Sequence, residues 1–321
     1  MRVCVVGAGV IGLTCAIRLA ESGHSVHIIT EQTAAESVSA VAAAMWFPYR
    51  AFPQDRVLAW SMSSLAVFEA LAEDPTTGVA MRYGTQLHRS AHPDLWWAEH
   101  LAALVRLGGD ELPPEIAGNP AILGGVRARL PIIVMCSYLS WLERRCSELG
   151  VTIAKAKLES VGAADPRADA VVLAVGMGAR ELLGDGEVTP IRGQVVRLAN
   201  PGLTDWLLDE DDPDQFCYII PRFDDVVCGG TAEAGRSSLE PDMTTEAILL
   251  ARARALAPDL ADAPIVSRAV GLRPGRTEVR LERCDNLDTA GRPVVACYGH
   301  GGAGVTMSWG CADEVTGLLT N

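Results

Sequence analysis

The segment Val3–Glu31 limits what this chain can fold into more than any other stretch. It reads VCVVGAGVIGLTCAIRLAESGHSVHIITE. The apolar run Val3–Val6 enters Gly7-Ala8-Gly9-Val10-Ile11-Gly12, a helical pattern follows to about Gly23, and a second apolar run, Val26–Ile29, stops at Glu31. Two strand-length apolar runs flanking a helical pattern predict a β-α-β unit with parallel strands. Gly7 permits the tight turn out of the strand, Gly9 lets backbone approach a pyrophosphate, and Gly12 lets the helix pack closely on the strands. The N–H groups and positive dipole end of the helix, around Ala8, Val10 and Ile11, then face the phosphates. Glu31 follows Gly12 by about 20 residues, the distance at which an acid accepts hydrogen bonds from ribose hydroxyls. An acid there disfavours a 2′-phosphate, which argues against an NADP-type ligand. The full context predicts an ADP-containing dinucleotide rather than a glycine-rich turn of an ordinary α/β protein.

With 321 residues, 49% of them hydrophobic, the chain has room for two domains and a sizeable core. Its formal charge of −13 makes nucleic acid and anionic membrane surfaces poor partners. It contains no apolar run of about 18 residues, and its N-terminus enters a strand without a basic segment. A soluble cytoplasmic protein is the expectation. The nine cysteines form no CxxC pair and read as reduced core residues, with a Cys228–Cys284 bridge as a minor alternative. His88 and His92 lack an acidic partner motif and read as solvated histidines, so no metal is expected.

Residues 131–149 put Met135, Tyr138, Leu139, Leu142, Cys146 and Leu149 on one helical face, with Pro131 in the first turn and Gly150 as the C-cap. Strand-like Val151–Ala156 follows. The apolar run Asp169–Val175 then ends in Gly176, where backbone can pass close to a bound cofactor. Residues 51–129 read as a mixture of helices and loops. Beyond 190, Gln194–Leu198, Cys217–Ile220, Val226–Cys228 and Thr277–Leu281 read as short strands of a mostly antiparallel sheet. Residues 244–257 read as a helix with Thr244 at its N-cap. The last segment is a strand (Val294–Tyr298), a glycine-rich loop and an apolar helix, which supplies a second helix N-terminus aimed at a ligand.

Five segments together resemble the D-amino-acid oxidases, which are FAD flavoproteins. They are Val5–Leu13, Val41–Tyr49, Tyr218-Ile-Ile-Pro221 with Gly229-Gly-Thr231, Gly271–Glu282 and Gly299–Gly310. They occur in family order, and the last two are the most specific. The resemblance implies an α/β chain with a discontinuous Rossmann-type FAD-binding domain (1–50, 130–190 and 285–321). It also implies a substrate domain (51–129 and 191–284) with a large, mostly antiparallel β-sheet. It implies hydride transfer from Cα of a D-amino acid to flavin N5, with release of a 2-oxo acid, ammonia and, through dioxygen, hydrogen peroxide.

The resemblance also assigns residues. Arg273 matches the arginine that holds the substrate carboxylate, which a planar guanidinium can do through two parallel hydrogen bonds. Tyr218 matches the tyrosine whose hydroxyl reaches the same carboxylate, and Gly302 would offer its carbonyl to the amine. Taken singly, Arg273 could be a surface ion-pair residue, Tyr218 a packed strand residue and the glycines a helix-capping turn. Gly301, Gly302, Gly304, Val305 and Thr306 match the loop beside the flavin ring; Ser37, Val38, Ser39 and the stretch Ala42, Ala43, Ala44 and Met45 match flavin contacts. Leu158 matches a contact on the adenine side, and Gln32 falls where the family often has arginine. Met45, Phe47 and Ile220 align with the side-chain pocket and predict neutral or hydrophobic substrates. Asp214 stands where mammalian members carry a second tyrosine, Ala232 and Glu233 stand where the D-aspartate branch wants a basic group, and Arg222 could bring positive charge near the pocket.

The alternative on the same fold is a glycine- or sarcosine-type FAD amine oxidase. An NAD-dependent dehydrogenase would leave Arg273, Tyr218 and the C-terminal glycine loop without a role, and a flavin-binding module without turnover would not need the Arg273/Tyr218 pair. Small-molecule substrate and dioxygen are the expected partners. No segment specifies an oligomeric state, and a homodimer is left open.

Overall fold

The computed structural model describes residues 1–212, 216–288 and 291–320. Its strands, in chain order, are β1 (Arg2–Val6), β2 (Ser25–Thr30), β3 (Val79–His88), β4 (Leu104–Gly108) and β5 (Gly124–Ile133). Then come β6 (Thr152–Lys155), β7 (Ala170–Leu173), β8 (Thr189–Ala199), β9 (Trp206–Asp209) and β10 (Cys217–Pro221). The last are β11 (Asp225–Gly229), β12 (Glu233–Ala234), β13 (Ile265–Arg283) and β14 (Val294–His300). All join one 14-stranded sheet, in the order β4-β5-β3-β9-β10-β11-β8-β13-β14-β7-β1-β2-β6, with β12 pairing β8 off that path.

One end of the sheet, β14-β7-β1-β2-β6, is parallel throughout. Its central strands are apolar without alternation because both faces are covered: Val3–Val5, Ala170–Leu173 and Val294–Cys297 are all buried. The helices Val10–Glu21, Met135–Glu148 and Gly304–Thr320 pack against this half. The other half is antiparallel except where β9 runs alongside β3. Strand β13 is the seam. It pairs antiparallel with β8 on one side and β14 on the other, and its register against β14 slips between Gly275 and Arg280. The seam therefore carries Arg273 to the junction between the two halves.

Several local expectations change. Residues 51–129 hold the helix Gln54–Leu71 and strands β3 and β4, with β5 running from 124 to 133, rather than helices and loops alone. These strands lack clean apolar alternation, and their stability comes from pairing with each other and with β9, which local sequence does not reveal. Pro131 lies in β5, where it pairs with Met81, and the helix starts later, at Met135. The expected face of that helix is buried at Met135, Tyr138, Leu139, Leu142 and Cys146, and Gly150 follows with φ +76°. The helix Met243–Leu256 is capped by Asp242, not Thr244: the Asp242 carboxylate accepts from Thr245 N–H at 2.6 Å. All nine cysteines are free, and Cys228 and Cys284 belong to different buried clusters, so no bridge joins them. Asp214 lies outside the described residues. Among the described residues no helix is long and apolar enough to cross a membrane.

Candidate active site

Where β1 ends, Gly7 adopts φ +108°, and a Cβ there would overlap the Ala174 carbonyl oxygen. A Cβ on Gly12 would overlap the Gly7 carbonyl oxygen. The helix Val10–Glu21 is thus pressed against the strand ends by two residues without side chains. Gly9 is its N-cap in extended conformation, with no side-chain cap of its own. Ser39 Oγ accepts the Val10 N–H at 3.1 Å and so ties the segment Ser37–Ser39 to the helix start. Other N–H groups of this first turn point outward without intrahelical partners, as in every helix.

They open on a cleft of about 610 Å³ that runs from Glu31 at one end to Arg273 and Tyr218 at the other. Gly7, Ala8, Gly9, Val10, Ile11, Glu31, Gln32, Ser37, Val38, Ser39, Leu158 and Gly176 line it on the β1 side. Ala43, Ala44, Met45, Phe47, Tyr218, Ile220, Arg273, Gly301, Gly302, Gly304, Val305 and Thr306 line the rest. Of the residues assigned from sequence to catalysis, the side-chain pocket or the cofactor, Gly12 alone stays outside the lining, since its part is packing. The donor set suits FAD: a glycine cradle that any Cβ would fill, a helix N-terminus for a pyrophosphate, and an acid for a ribose. Lys157 lies 3.8 Å from Glu31 and 3.1 Å from Glu181 beside that acid.

At the far end the chemistry changes. The half-buried Arg273 donates from Nη1 to the Thr231 carbonyl at 2.8 Å, and its positive charge acts on the Tyr218 phenol beside it. Among the described residues no carboxylate pairs with it. Burial pushes the Tyr218 phenol up, with Arg273 opposing, so the hydroxyl remains a proton donor at neutral pH. Two backbone positions without side chains make room for this pair. A Cβ on Gly193 would overlap the Arg273 guanidinium, and one on Gly229, directly across the ladder from Tyr218, would overlap its ring. Gly302 is constrained likewise: its Cβ would lie 2.9 Å from Tyr49 Cδ1 and 3.7 Å from Arg273 Cδ. Phe47 is fixed by Thr306, whose Oγ1 accepts the Phe47 N–H at 3.1 Å and donates to its carbonyl at 3.0 Å. Phe47 also packs edge-on to Trp97 at 5.0 Å. Met45, Phe47 and Ile220 are all buried and give the side-chain region an apolar wall.

Sequence reasoning missed Tyr49, Phe216 and Leu208, which line the same end. Tyr49 stacks on Phe216 at 5.7 Å with the rings 5° apart. The signals were present: Tyr49 closes the Val41–Tyr49 segment, and Phe216 stands two positions before Tyr218, the spacing of one strand face. The reading of Arg222 changes. It grips Asp225 with both ends of its guanidinium, at 2.6 and 2.5 Å, and does not line the cleft, so it brings no free charge there. Also unforeseen is a buried group beneath the C-terminal loop: Cys297, His300 and Cys311 hold their donor atoms within 4.8 Å of one another. Burial pushes the His300 imidazole down to about 4, so it is neutral at physiological pH.

Glu210, at the end of β9, carries a titration that the sequence did not announce. Its Oε1 accepts from the buried Gln86 Nε2 at 2.9 Å, and burial pushes its carboxyl up to about 7, with Arg50 opposing and Asp211 adding. A carboxyl whose folded pKa lies above its unfolded value stabilises the fold below the unfolded value, and that contribution is lost as pH rises through the folded one. Glu210→Gln should therefore match the parent near pH 4 and exceed it above pH 7, by an amount on the order of 3 kcal/mol. Thermal unfolding followed across that range tests this. Parallel Tm profiles for parent and variant would remove Glu210 as the cause.

Comparison with known proteins agrees with this geometry. Residues 2–318 match the family model described as FAD dependent oxidoreductase. A D-amino-acid oxidase of Rubrobacter xylanophilus is 46% identical over 99% of this chain and 95% of its own length. A D-amino-acid oxidase of Streptomyces coelicolor is 42% identical over 99% and 97%. Among solved structures, glycine oxidase from Geobacillus kaustophilus superposes with a TM-score of 0.83 over 99% of this chain and 95% of its own, at 22% identity, which speaks to the fold alone. The chain therefore belongs to the D-amino-acid oxidase family of FAD-dependent oxidoreductases, with FAD as its cofactor.

Proposed function

We propose that this enzyme oxidises neutral and hydrophobic D-amino acids: a D-amino acid, dioxygen and water give a 2-oxo acid, ammonia and hydrogen peroxide. One observation carries the reading. A guanidinium with no carboxylate partner among the described residues stands beside a phenol donor, at the end of a cleft where buried Met45, Phe47 and Ile220 form an apolar wall. That combination accepts a carboxylate and an uncharged side chain together.

Each residue then has a task. Arg273 binds the carboxylate through two parallel N–H bonds, and Tyr218 adds a third from its hydroxyl. The Gly302 carbonyl accepts from the amine and favours its uncharged form. Met45, Phe47 and Ile220 enclose the side chain and exclude water. When bound, FAD would supply the two-electron acceptor for the substrate and the reactivity toward dioxygen. No side chain is needed as acid or base at Cα. Gly7–Gly12, Glu31 and the Ser37–Ser39 segment hold the dinucleotide, and residues 1–50, 130–190 and 285–321 make up the FAD-binding part.

An anaerobic visible spectrum of the purified holoenzyme tests the proposal. Flavin bands should bleach with D-alanine and D-valine and persist with the L-enantiomers. Bleaching only with glycine or sarcosine would assign the enzyme to the amine-oxidase alternative, and bands unaffected by every amino acid would refute turnover.

A further inference from the structure

The Arg273 guanidinium is itself held by a residue that does not line the cleft. Arg273 donates from Nη1 to the carbonyl of Thr231, 2.8 Å away. That carbonyl is fixed in turn, because the Thr231 hydroxyl accepts the backbone N–H of Gln194 on β8 at 2.8 Å. Gln194 neighbours Gly193, the position over which the guanidinium lies. One strand thus provides the floor under Arg273 and, through Thr231, the acceptor that fixes its rotation.

The surrounding polar groups lock the same segment. Buried Arg192 donates to Glu233 at 2.7 Å, to Gln194 Oε1 at 3.0 Å and to the carbonyls of Ser238 and Glu240 at 2.9 and 2.7 Å. Gln194 exchanges two hydrogen bonds with the Asp242 backbone, both 2.8 Å. The chain from Thr231 to Asp242 is therefore tied to β8 at both ends. A buried polar network satisfied in this way has one low-energy arrangement. A guanidinium has five N–H donors in a rigid fork, and committing one edge to a fixed acceptor orients the opposite edge.

We propose that Thr231 is the positioning residue for Arg273: its hydroxyl anchors its own carbonyl, and that carbonyl sets the fork at the angle that receives a substrate carboxylate. This rests on the carboxylate-binding role of Arg273 proposed above. It adds a residue that lies outside the cleft lining. Its effect belongs to the shared carboxylate, not to the side-chain pocket, so it must be the same for every substrate.

The test compares the parent holoenzyme with Thr231→Val and Thr231→Ser, using D-alanine and D-valine. Thr231→Val keeps the shape and removes the acceptor for Gln194 N–H. We expect KM to rise about tenfold, by one factor for both substrates, with kcat within about twofold and flavin content unchanged. Thr231→Ser restores the hydroxyl and should return KM to near the parent value. Thr231→Val with parent KM values would overturn the proposal, as would unequal factors for the two substrates or a Ser variant as poor as the Val one. A parent enzyme inactive with both D-amino acids would instead overturn the underlying reading of Arg273. If Thr231→Val does not fold, Thr231→Ala replaces it under the same criteria.

Discussion

Arg273→Ala should lower kcat/KM for D-alanine by about a thousandfold while the protein keeps its flavin. The size follows from what remains. With the guanidinium gone, a carboxylate must enter an apolar pocket and pair only with the Tyr218 hydroxyl. Stranding one partner of a buried charge pair costs about 3–5 kcal/mol, and each 1.36 kcal/mol is about tenfold in rate. Part of the loss should appear in kcat, because a carboxylate that is no longer fixed leaves Cα out of line. Arg273→Lys should recover only a fraction, since an ammonium restores the charge without the planar fork. Flavin retention follows from geography. The residues at the phosphate end, Gly7–Ile11 and Glu31, lie in the turn after β1, at the start of the first helix and just past β2, away from the β13 seam. Steady-state kinetics together with the flavin-to-protein absorbance ratio decide the matter. A variant with the parent kcat/KM would show that the carboxylate is held elsewhere.

How much of this was legible beforehand depends on how local each feature is. The β-α-β unit was plain because strand, turn, helix and acid are contiguous within Val3–Glu31. The parallel half of the sheet followed from uninterrupted apolar runs such as Ala170–Leu173. Strands β3, β4 and β5 were not legible: each is stabilised by partners far away in sequence, and β5 carries Pro131 and two glycines that locally argue against a strand. The same division runs through the cleft. Arg273, Tyr218 and the 301–306 loop stood out through motif context. Gly193 did not, because its importance lies in the guanidinium resting above it. Thr231 ends the Gly229-Gly-Thr231 motif, but its hydrogen bond to Gln194 exists only once β8 and the 231–242 segment are side by side. Glu210 was one acid in an acidic loop until burial beside Gln86 distinguished it from Asp211.

Gly12→Ala should bring the largest loss of stability of any single-methyl change at the dinucleotide end, with most of the flavin lost as well. The usual expectation is the opposite. Replacing glycine by alanine inside a helix gains up to about 1 kcal/mol from backbone entropy and propensity. Here the added Cβ would sit on the Gly7 carbonyl oxygen. That atom is backbone and cannot swing aside, and Gly7 is itself confined by φ +108° and by the Ala174 carbonyl behind it. Relief requires the helix Val10–Glu21 to lift from β1, which breaks buried packing by Leu13, Cys15, Ala16 and Ile17. Overpacking of this kind costs about 1–3 kcal/mol or more, and lifting the helix also moves the N–H groups that face the pyrophosphate. Gly9→Ala provides the contrast, since its Cβ would meet only Ser39 Oγ at 3.2 Å, a side-chain atom that can yield. That variant should fold with a Tm near the parent's and hold FAD more weakly, because the methyl stands where the phosphates approach. Thermal unfolding of the apoproteins isolates the packing effect from the ligand's own stabilisation, and FAD titration of the same samples measures the second effect. A Gly12→Ala apoprotein with a higher Tm than the parent would mean that the helix does not depend on this close approach.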